Sequence, residues 1–314
     1  MTILLSVTGF EPTRWLRALK QHLPQESVVT RPERADDPAI DYAIVWKQPP
    51  GVLADLPNLK AIFSLGAGVD HILADRTVPP ELPIVRIVAP DLTSRMSEYV
   101  LWRVLDHFRK GMTYRSQQSR RLWNERLQPS AGEVTVGILG LGELGRDAAR
   151  KLNLVGFQIA GWSRRPKNLP GVETFHGTDG LKACLSVSDI IVVLLPLTPD
   201  TRGLIDDDFL SHLKGETPLG RPVLINAGRG GLQSDSAILR ALNDGRLMEA
   251  SLDVFEREPL PRESALWRHP QVFITPHAAA SSEPEALVPL MARQVEAHRR
   301  GEALTNLVDR NAGY

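Results

Sequence analysis

Short runs of consecutive apolar residues, each followed by a turn or an amphipathic stretch, recur along most of the chain. Residues 3–7, 28–30, 42–46, 59–65 and 84–88 read as strands, with a helix over 13–22 and turn-rich spacers between them. The alternation resumes at 134–139, 157–162, 189–196, 222–226, 249–254 and 272–275. Between these runs, residues 144–155, 206–213 and 235–243 read as helices, and 285–300 forms a helical tail. A run such as Ile190-Ile191-Val192-Val193 is apolar at every position. It suits a strand covered on both faces, as parallel strands are. Strands alternating with helices predict parallel sheets flanked by helices. Residues 94–123 lack proline and place Met96, Val100, Val104 and Phe108 on one face, with Ser94 as N-cap. They read as one long, mostly helical crossing from a first α/β half to a second.

Composition narrows the class. At 314 residues the chain exceeds one usual core, so two domains are expected. Lys plus Arg and Asp plus Glu are both 37. That balance argues against nucleic acid as a partner. Cys184 is the single cysteine, which excludes an intrachain disulfide and a cysteine-rich metal site. The apolar start, residues 1–7, has no basic flank and stops at Gly9-Phe10-Glu11-Pro12. It reads as a first strand and not a signal peptide. No run approaches ~18 apolar residues, so no membrane partner is expected and the cytoplasm is the default location.

Candidate chemistry begins at Gly140-Leu141-Gly142-Glu143-Leu144-Gly145. The G-x-G-x-x-G pattern lies between a strand and a helix, and a second strand follows. In that context the glycines permit a tight turn, approach of a pyrophosphate, and close packing of helix on strand. The end of the second strand selects the dinucleotide. Ser163 lies 18 residues beyond Gly145 and is followed by Arg164, Arg165 and Lys167, with no carboxylate before Glu173. A carboxylate there would hold a ribose 2′-hydroxyl; a hydroxyl and guanidinium groups suit a 2′-phosphate. NADP(H) is therefore expected, with NAD(H) weaker.

Other candidates follow predicted strands, at the edge where open α/β sheets bind ligands. Leu65-Gly66-Ala67-Gly68-Val69-Asp70 is either an anion cup of backbone amides or a plain glycine-rich turn. Trp46 is either a wall at the sheet rim or an ordinary buried tryptophan. Arg229, Glu258 and His277 each follow a strand of the second half. Arginine offers a fork for a carboxylate, histidine a proton near neutral pH, and a carboxylate can fix the imidazole tautomer. Taken together they suggest hydride transfer to the carbonyl of a 2-oxo acid.

Four motifs in one order carry a resemblance. The chain resembles the D-isomer-specific 2-hydroxyacid dehydrogenases over nearly its whole length. Gly140–Gly145 is similar to that family's cofactor motif, Asn226-Ala227-Gly228-Arg229-Gly230 to its arginine motif, 252–259 to its glutamate motif, and Thr275-Pro276-His277 to its histidine motif. The stretches 65–70, 162–164, 255–261 and 309–314 resemble the branch that reduces glyoxylate and hydroxypyruvate. The resemblance implies two Rossmann-like parallel-sheet domains, with the cofactor domain (96–282) inserted into a flavodoxin-like substrate domain (1–95 plus 283–314). It implies Arg229 as holder of the substrate carboxylate, His277 as general acid and Glu258 as its partner. The amides of Ala67, Gly68 and Val69 would help seat the carboxylate, beside Trp46. Gly140, Gly142, Glu143, Leu144 and Gly145 would cradle the cofactor, with Leu195 and Pro196 on its adenine side and Asp253 near the nicotinamide amide. A homodimer is implied, with Trp123 reaching the neighbouring site. Glu143-Leu144 departs from the Arg-Ile of many relatives, and Gly228 from their Ala or Ser. A reductase of another 2-oxo acid and a cofactor-sensing, non-catalytic relative are the alternatives.

Overall fold

The computed structural model describes residues 1–31, 37–281 and 283–314. The chain divides into two compact units, Met1–Leu92 with Ser282–Tyr314, and Thr93–Ser281.

The first unit holds a five-stranded parallel sheet of β1 (Thr2–Val7), β2 (Ser27–Val29), β3 (Ile40–Trp46), β4 (Ala61–Ser64) and β5 (Ile84–Val85), in the order β2-β1-β3-β4-β5. That is the doubly wound order with its switch point between β1 and β3. Leu4, Ala43, Val45, Ile62 and Ile84 are buried in one cluster with Ile72 of the single-turn helix Asp70–Leu73. Helix Thr13–His22 packs with helix Pro284–Arg299, which returns the chain's end to this unit.

The second unit holds seven parallel strands: β6 (Thr135–Leu139), β7 (Gln158–Ser163), β8 (Glu173–His176), β9 (Ile190–Val193), β10 (Val223–Asn226), β11 (Glu249–Leu252) and β12 (Val272–Ile274). Their order is β12-β11-β10-β9-β6-β7-β8. Successive residues feed opposite faces, as the pleat requires. Leu139, Ile191, Val193, Leu224 and Leu252 join one core cluster. Val136, Ile138, Ile190, Val192 and Ile225 join the other. All of β9 is fully buried, which accounts for its unbroken apolar sequence. Two parallel-sheet α/β units are thus the architecture, in agreement with the sequence reading. Among the described residues no helix is long and apolar enough to cross a membrane.

Two expectations about local structure need correction. The crossing over 94–123 is two helices, Pro90–Phe108 and Gly111–Ser119. Lys110 between them is left-handed, at φ 57°. In this turn a Cβ at Gly111 would run into Asp106. Ser94 is therefore inside the first helix and does not cap it; its hydroxyl donates to Glu98 at 3.0 Å. Residues 122–130 have no regular structure. The second miss is β8 with the helix Gly177–Val187. Glu-Thr-Phe-His has no apolar run, and the helix opens on Gly177 and carries Gly180, so its apolar period is confined to the short stretch of Leu181, Cys184 and Leu185.

Candidate active site

All seven strands of the second unit run the same way, so residues just past their ends share one edge of the sheet. Gly140 follows β6, Arg164 follows β7, Leu195 lies beyond β9, Arg229 beyond β10, Asp253 after β11 and His277 beyond β12. A parallel sheet thereby gathers groups more than a hundred residues apart in sequence.

The glycine turn is built by contacts of different kinds. Gly140 has φ 106°, and a Cβ on it would lie 2.8 Å from the Leu194 carbonyl oxygen. At Gly145 a Cβ would collide with the carbonyl of Gly140, so only glycine lets the helix start this close to β6. Gly142 is unlike both. Its φ is −77°, and a Cβ there meets nothing within 4 Å. Neither backbone nor packing demands glycine at 142, whereas a pyrophosphate laid over the turn does. The residues present thus fit a dinucleotide. Helix Glu143–Val155 follows and ends on left-handed Gly156. Glu143 sets a carboxylate in the first turn, and Arg146 answers it at 3.0 Å. Sequence reading passed over Arg146, whose signal was the i,i+3 spacing. Leu144 is half-buried against the core.

At the end of β7 the basic residues separate. Ser163 is buried, and its hydroxyl donates to the Arg165 carbonyl at 2.8 Å, which folds the turn. Arg164 Nη1 lies 4.0 Å from Asp200, and both are exposed, as is Arg165. Lys167 Nζ donates to the carbonyl of Leu141 at 2.6 Å, inside the glycine turn. Burial, with Arg146 nearby, lowers its pKa. Lys167 is thus tied to the glycine turn. Leu195 is buried and Pro196 half-buried. Thr201 steadies their segment with a hydroxyl bond to the Pro196 carbonyl at 2.7 Å.

The arginine loop is held by its own amide side chains. Asn226 Oδ1 accepts from Gly228 N at 3.0 Å, and its Nδ2 donates to Gln233 Oε1 at 2.7 Å and to the Arg229 carbonyl at 3.2 Å. Gln233 Nε2 continues to Asp235 at 2.7 Å and to the Val254 carbonyl at 3.2 Å. Gly228 fits close beneath Leu195, where a Cβ would lie 2.8 Å from a carbonyl oxygen. Gly230 has no room for a Cβ against the backbone of Phe255. That contact joins the arginine loop to the next one, where Glu258 Oε1 accepts from Phe255 N at 3.2 Å. Glu258 Oε2 lies 2.8 Å from His277 Nδ1. Arg229 Nη1 donates to the Gly228 carbonyl at 2.9 Å. Asp253 is 1% exposed, and its carboxylate accepts from Thr275 Oγ1, Ala278 N and Ala279 N at 2.6, 2.8 and 3.1 Å. It shapes the histidine loop, work that sequence reading did not give it.

In the first unit, Ser64 Oγ accepts from Gly66 N at 3.3 Å and donates to the Gly68 carbonyl at 3.0 Å, which curls the loop carrying Ala67, Gly68 and Val69. The half-buried Trp46 indole lies against Gly66 so closely that a Cβ there would strike the ring. It also meets His71 edge-on, with centroids 5.2 Å apart. Both features sit at the carboxyl edge of their sheet, after β3 and β4.

Comparison with known proteins agrees with this architecture. Residues 101–279 match the model of the D-isomer specific 2-hydroxyacid dehydrogenase, NAD binding domain. The chain is 38% identical to glyoxylate/hydroxypyruvate reductase A of Serratia proteamaculans (strain 568), over 100% of both chains. Among solved structures it is similar to the NADPH-dependent glyoxylate/hydroxypyruvate reductase of Sinorhizobium meliloti in complex with NADP and sulfate. There the TM-score is 0.94 and identity 44%, covering 100% of this chain and 99% of that one. A probable 2-hydroxyacid dehydrogenase of Rhizobium etli CFN 42, in complex with NADP, HEPES and L(+)-tartaric acid, aligns with TM-score 0.92 at 44% identity and the same coverage. With residues 101–279 matched by the family's cofactor-domain model and a relative 38% identical over its full length, the chain belongs to the D-isomer specific 2-hydroxyacid dehydrogenases.

Proposed function

We propose that the chain is an NADPH-dependent reductase of small 2-oxo acids, converting glyoxylate to glycolate and hydroxypyruvate to D-glycerate. The observation that carries this reading is the 2.8 Å contact of Glu258 with His277 Nδ1 at the carboxyl edge of a dinucleotide-binding sheet. A carboxylate on Nδ1 fixes the ring's tautomer and orientation, so Nε2 delivers the proton to the carbonyl oxygen. The reduced nicotinamide, when bound, supplies the hydride. Arg229 holds the substrate carboxylate in its planar fork. The amides of Ala67, Gly68 and Val69 are assigned to an acidic group of the substrate, with Trp46 as a wall that disfavours long apolar chains. Relatives bearing the reductase name, and a solved relative carrying NADP, support the same assignment.

The glycines at 140, 142 and 145 are assigned to the pyrophosphate, with Glu143, Leu144 and Lys167 beside it. Leu195 and Pro196 are assigned to the adenine, and Asp253 to the nicotinamide side. Arg164 and Arg165, with Ser163 shaping their turn, are assigned to the 2′-phosphate, which makes NADH the weaker donor. A charge-assisted hydrogen bond contributes roughly 1.5–3 kcal/mol. Arg164 is partly exposed and shares its charge with Asp200, so the low end applies. Arg164→Ala is therefore expected to raise the KM for NADPH about tenfold and leave that for NADH nearly unchanged. Equal losses for both would contradict the assignment.

A panel of 2-oxo acids followed at the reduced-nicotinamide absorbance tests the reaction itself. The expected result is a higher kcat/KM for glyoxylate and hydroxypyruvate than for phenylpyruvate or 4-methyl-2-oxopentanoate. The reverse order overturns the substrate assignment, and cofactor binding without any turnover overturns the enzyme reading. A single buried cysteine suits a reducing compartment, and the cytoplasm is proposed as the setting.

A homodimer completes the proposal. Trp123 and Leu127 are fully exposed and Leu122 nearly half so, in the irregular stretch 122–130. Large apolar side chains grouped in this way mark an association surface, and a second copy is the partner assigned to it. A solution mass of about twice the 34.7 kDa chain is expected. A mass equal to one chain contradicts it.

A further inference from the structure

A chain of hydroxyl groups runs to the histidine loop from helix Pro90–Phe108. Tyr99, on helix Pro90–Phe108, is 6% exposed, and its Oη lies 2.9 Å from Thr275 Oγ1. Thr275 Oγ1 in turn lies 2.6 Å from Asp253 Oδ1. Counting protons fixes the direction. A threonine hydroxyl has one proton to give, and here it goes to the carboxylate. Its oxygen therefore accepts from Tyr99. Burial pushes the Tyr99 phenol up to about 12, so it keeps the proton it donates.

Asp253, at the end of this chain, holds the backbone at and just after His277. Its carboxylate oxygens accept from Ala278 N and Ala279 N at 2.8 and 3.1 Å, and the carbonyl of Asp253 accepts from His277 N at 2.8 Å. His277 has φ 53°, a left-handed conformation unusual for a residue with a Cβ. Such a conformation persists only where its surroundings over-determine it. Asp253 supplies that constraint, and Thr275 donates to the same carboxylate.

We propose that Tyr99 and Thr275 are positioning residues for His277: the Tyr99–Thr275–Asp253 chain locks the carboxylate that holds the 277–279 turn, and so aims the imidazole. This rests on the reading of His277 as proton donor, although the geometry of the turn can be followed without turnover. The chain acts through the backbone, while Glu258 acts on the ring directly.

Thr275→Val keeps the shape and removes the hydroxyl; Thr275→Ser keeps the hydroxyl. Thr275→Val is expected to lower kcat about tenfold or more, with the NADPH Kd changed by less than about twofold. Thr275→Ser is expected to recover most of the loss, and Tyr99→Phe to give a smaller fall in kcat of the same kind. A second readout is the imidazole Cε1–H resonance of His277, assigned by its disappearance in His277→Ala. It should be single and narrow in the parent chain and in Thr275→Ser, but shifted or broadened in Thr275→Val and Tyr99→Phe. An unchanged resonance and kcat in Thr275→Val overturns the proposal. So does a serine variant as impaired as the valine one, or a cofactor Kd that rises in step with the fall in kcat. If Thr275→Val does not fold, Tyr99→Phe decides by the same measurements. Full activity in His277→Ala refutes the proton-donor reading alone, because the resonance still reports whether the hydroxyl chain orders the turn.

Discussion

His277→Ala is expected to lower kcat by ~10²–10⁴-fold while the Kd for NADPH stays close to its original value. The ring lies beyond the end of β12, in a loop whose backbone is held by Asp253, and its Nδ1 is engaged by Glu258. Truncation removes the proposed proton source and is expected to leave undisturbed the glycine turn that begins 137 residues earlier. Arg229→Ala separates from it kinetically. On the proposed assignment Arg229 holds the substrate carboxylate in both ground and transition states, so its loss is expected to raise KM more than it lowers kcat. Steady-state kinetics with glyoxylate, alongside cofactor titration by fluorescence, distinguish the two. If His277→Ala lost cofactor affinity as steeply as kcat, the histidine would be a structural element and not the acid.

Gly142→Ala is expected to leave thermal stability within about 0.5 kcal/mol of the parent, as for a substitution that breaks no contact. Cofactor binding should weaken by a hundredfold or so, as expected when a methyl group displaces a pyrophosphate by about an ångström from hydrogen-bonding distance of the amides. The contrast with Gly145→Ala makes the test specific. At 145 the added carbon meets the Gly140 carbonyl and the protein itself is destabilised; at 142 it meets open space. A melting curve and a cofactor titration on both variants give the comparison. Unchanged NADPH affinity in Gly142→Ala would mean that no phosphate lies over that turn.

Both unit architectures were legible because each buried strand leaves an apolar run and each run precedes a turn. The glycine motif and the residues after β10, β11 and β12 stood out for the same reason: they are polar or glycine-rich punctuation after hydrophobic stretches. What those residues bind to was not legible. Asn226 and Gln233 form the scaffold of the arginine loop through contacts with Gly228, Arg229, Asp235 and Val254, and nothing in their spacing announces it. Lys167 grouped with Arg164 in sequence, yet its Nζ reaches back 26 residues to Leu141. Asp253 gave no hint of the three donors that converge on it. Side-chain partners of this kind are chosen by tertiary proximity, which periodicity does not encode. The break at Lys110 was hidden because neither Lys110 nor Gly111 ends a hydrophobic period, and only the Asp106 side chain makes glycine necessary there.

The interlock of Gly230 with Phe255 limits how this scaffold can be repurposed. Because not even a methyl group fits between the two loops, the stretches bearing Arg229 and Glu258 inherit a common spacing that single substitutions can only damage. Selection for new substrates therefore has little freedom there. Changes that broaden the substrate range without loss of turnover should accumulate around Trp46, whose indole contributes bulk from the end of β3 and not from the stretches that carry Arg229, Glu258 and His277.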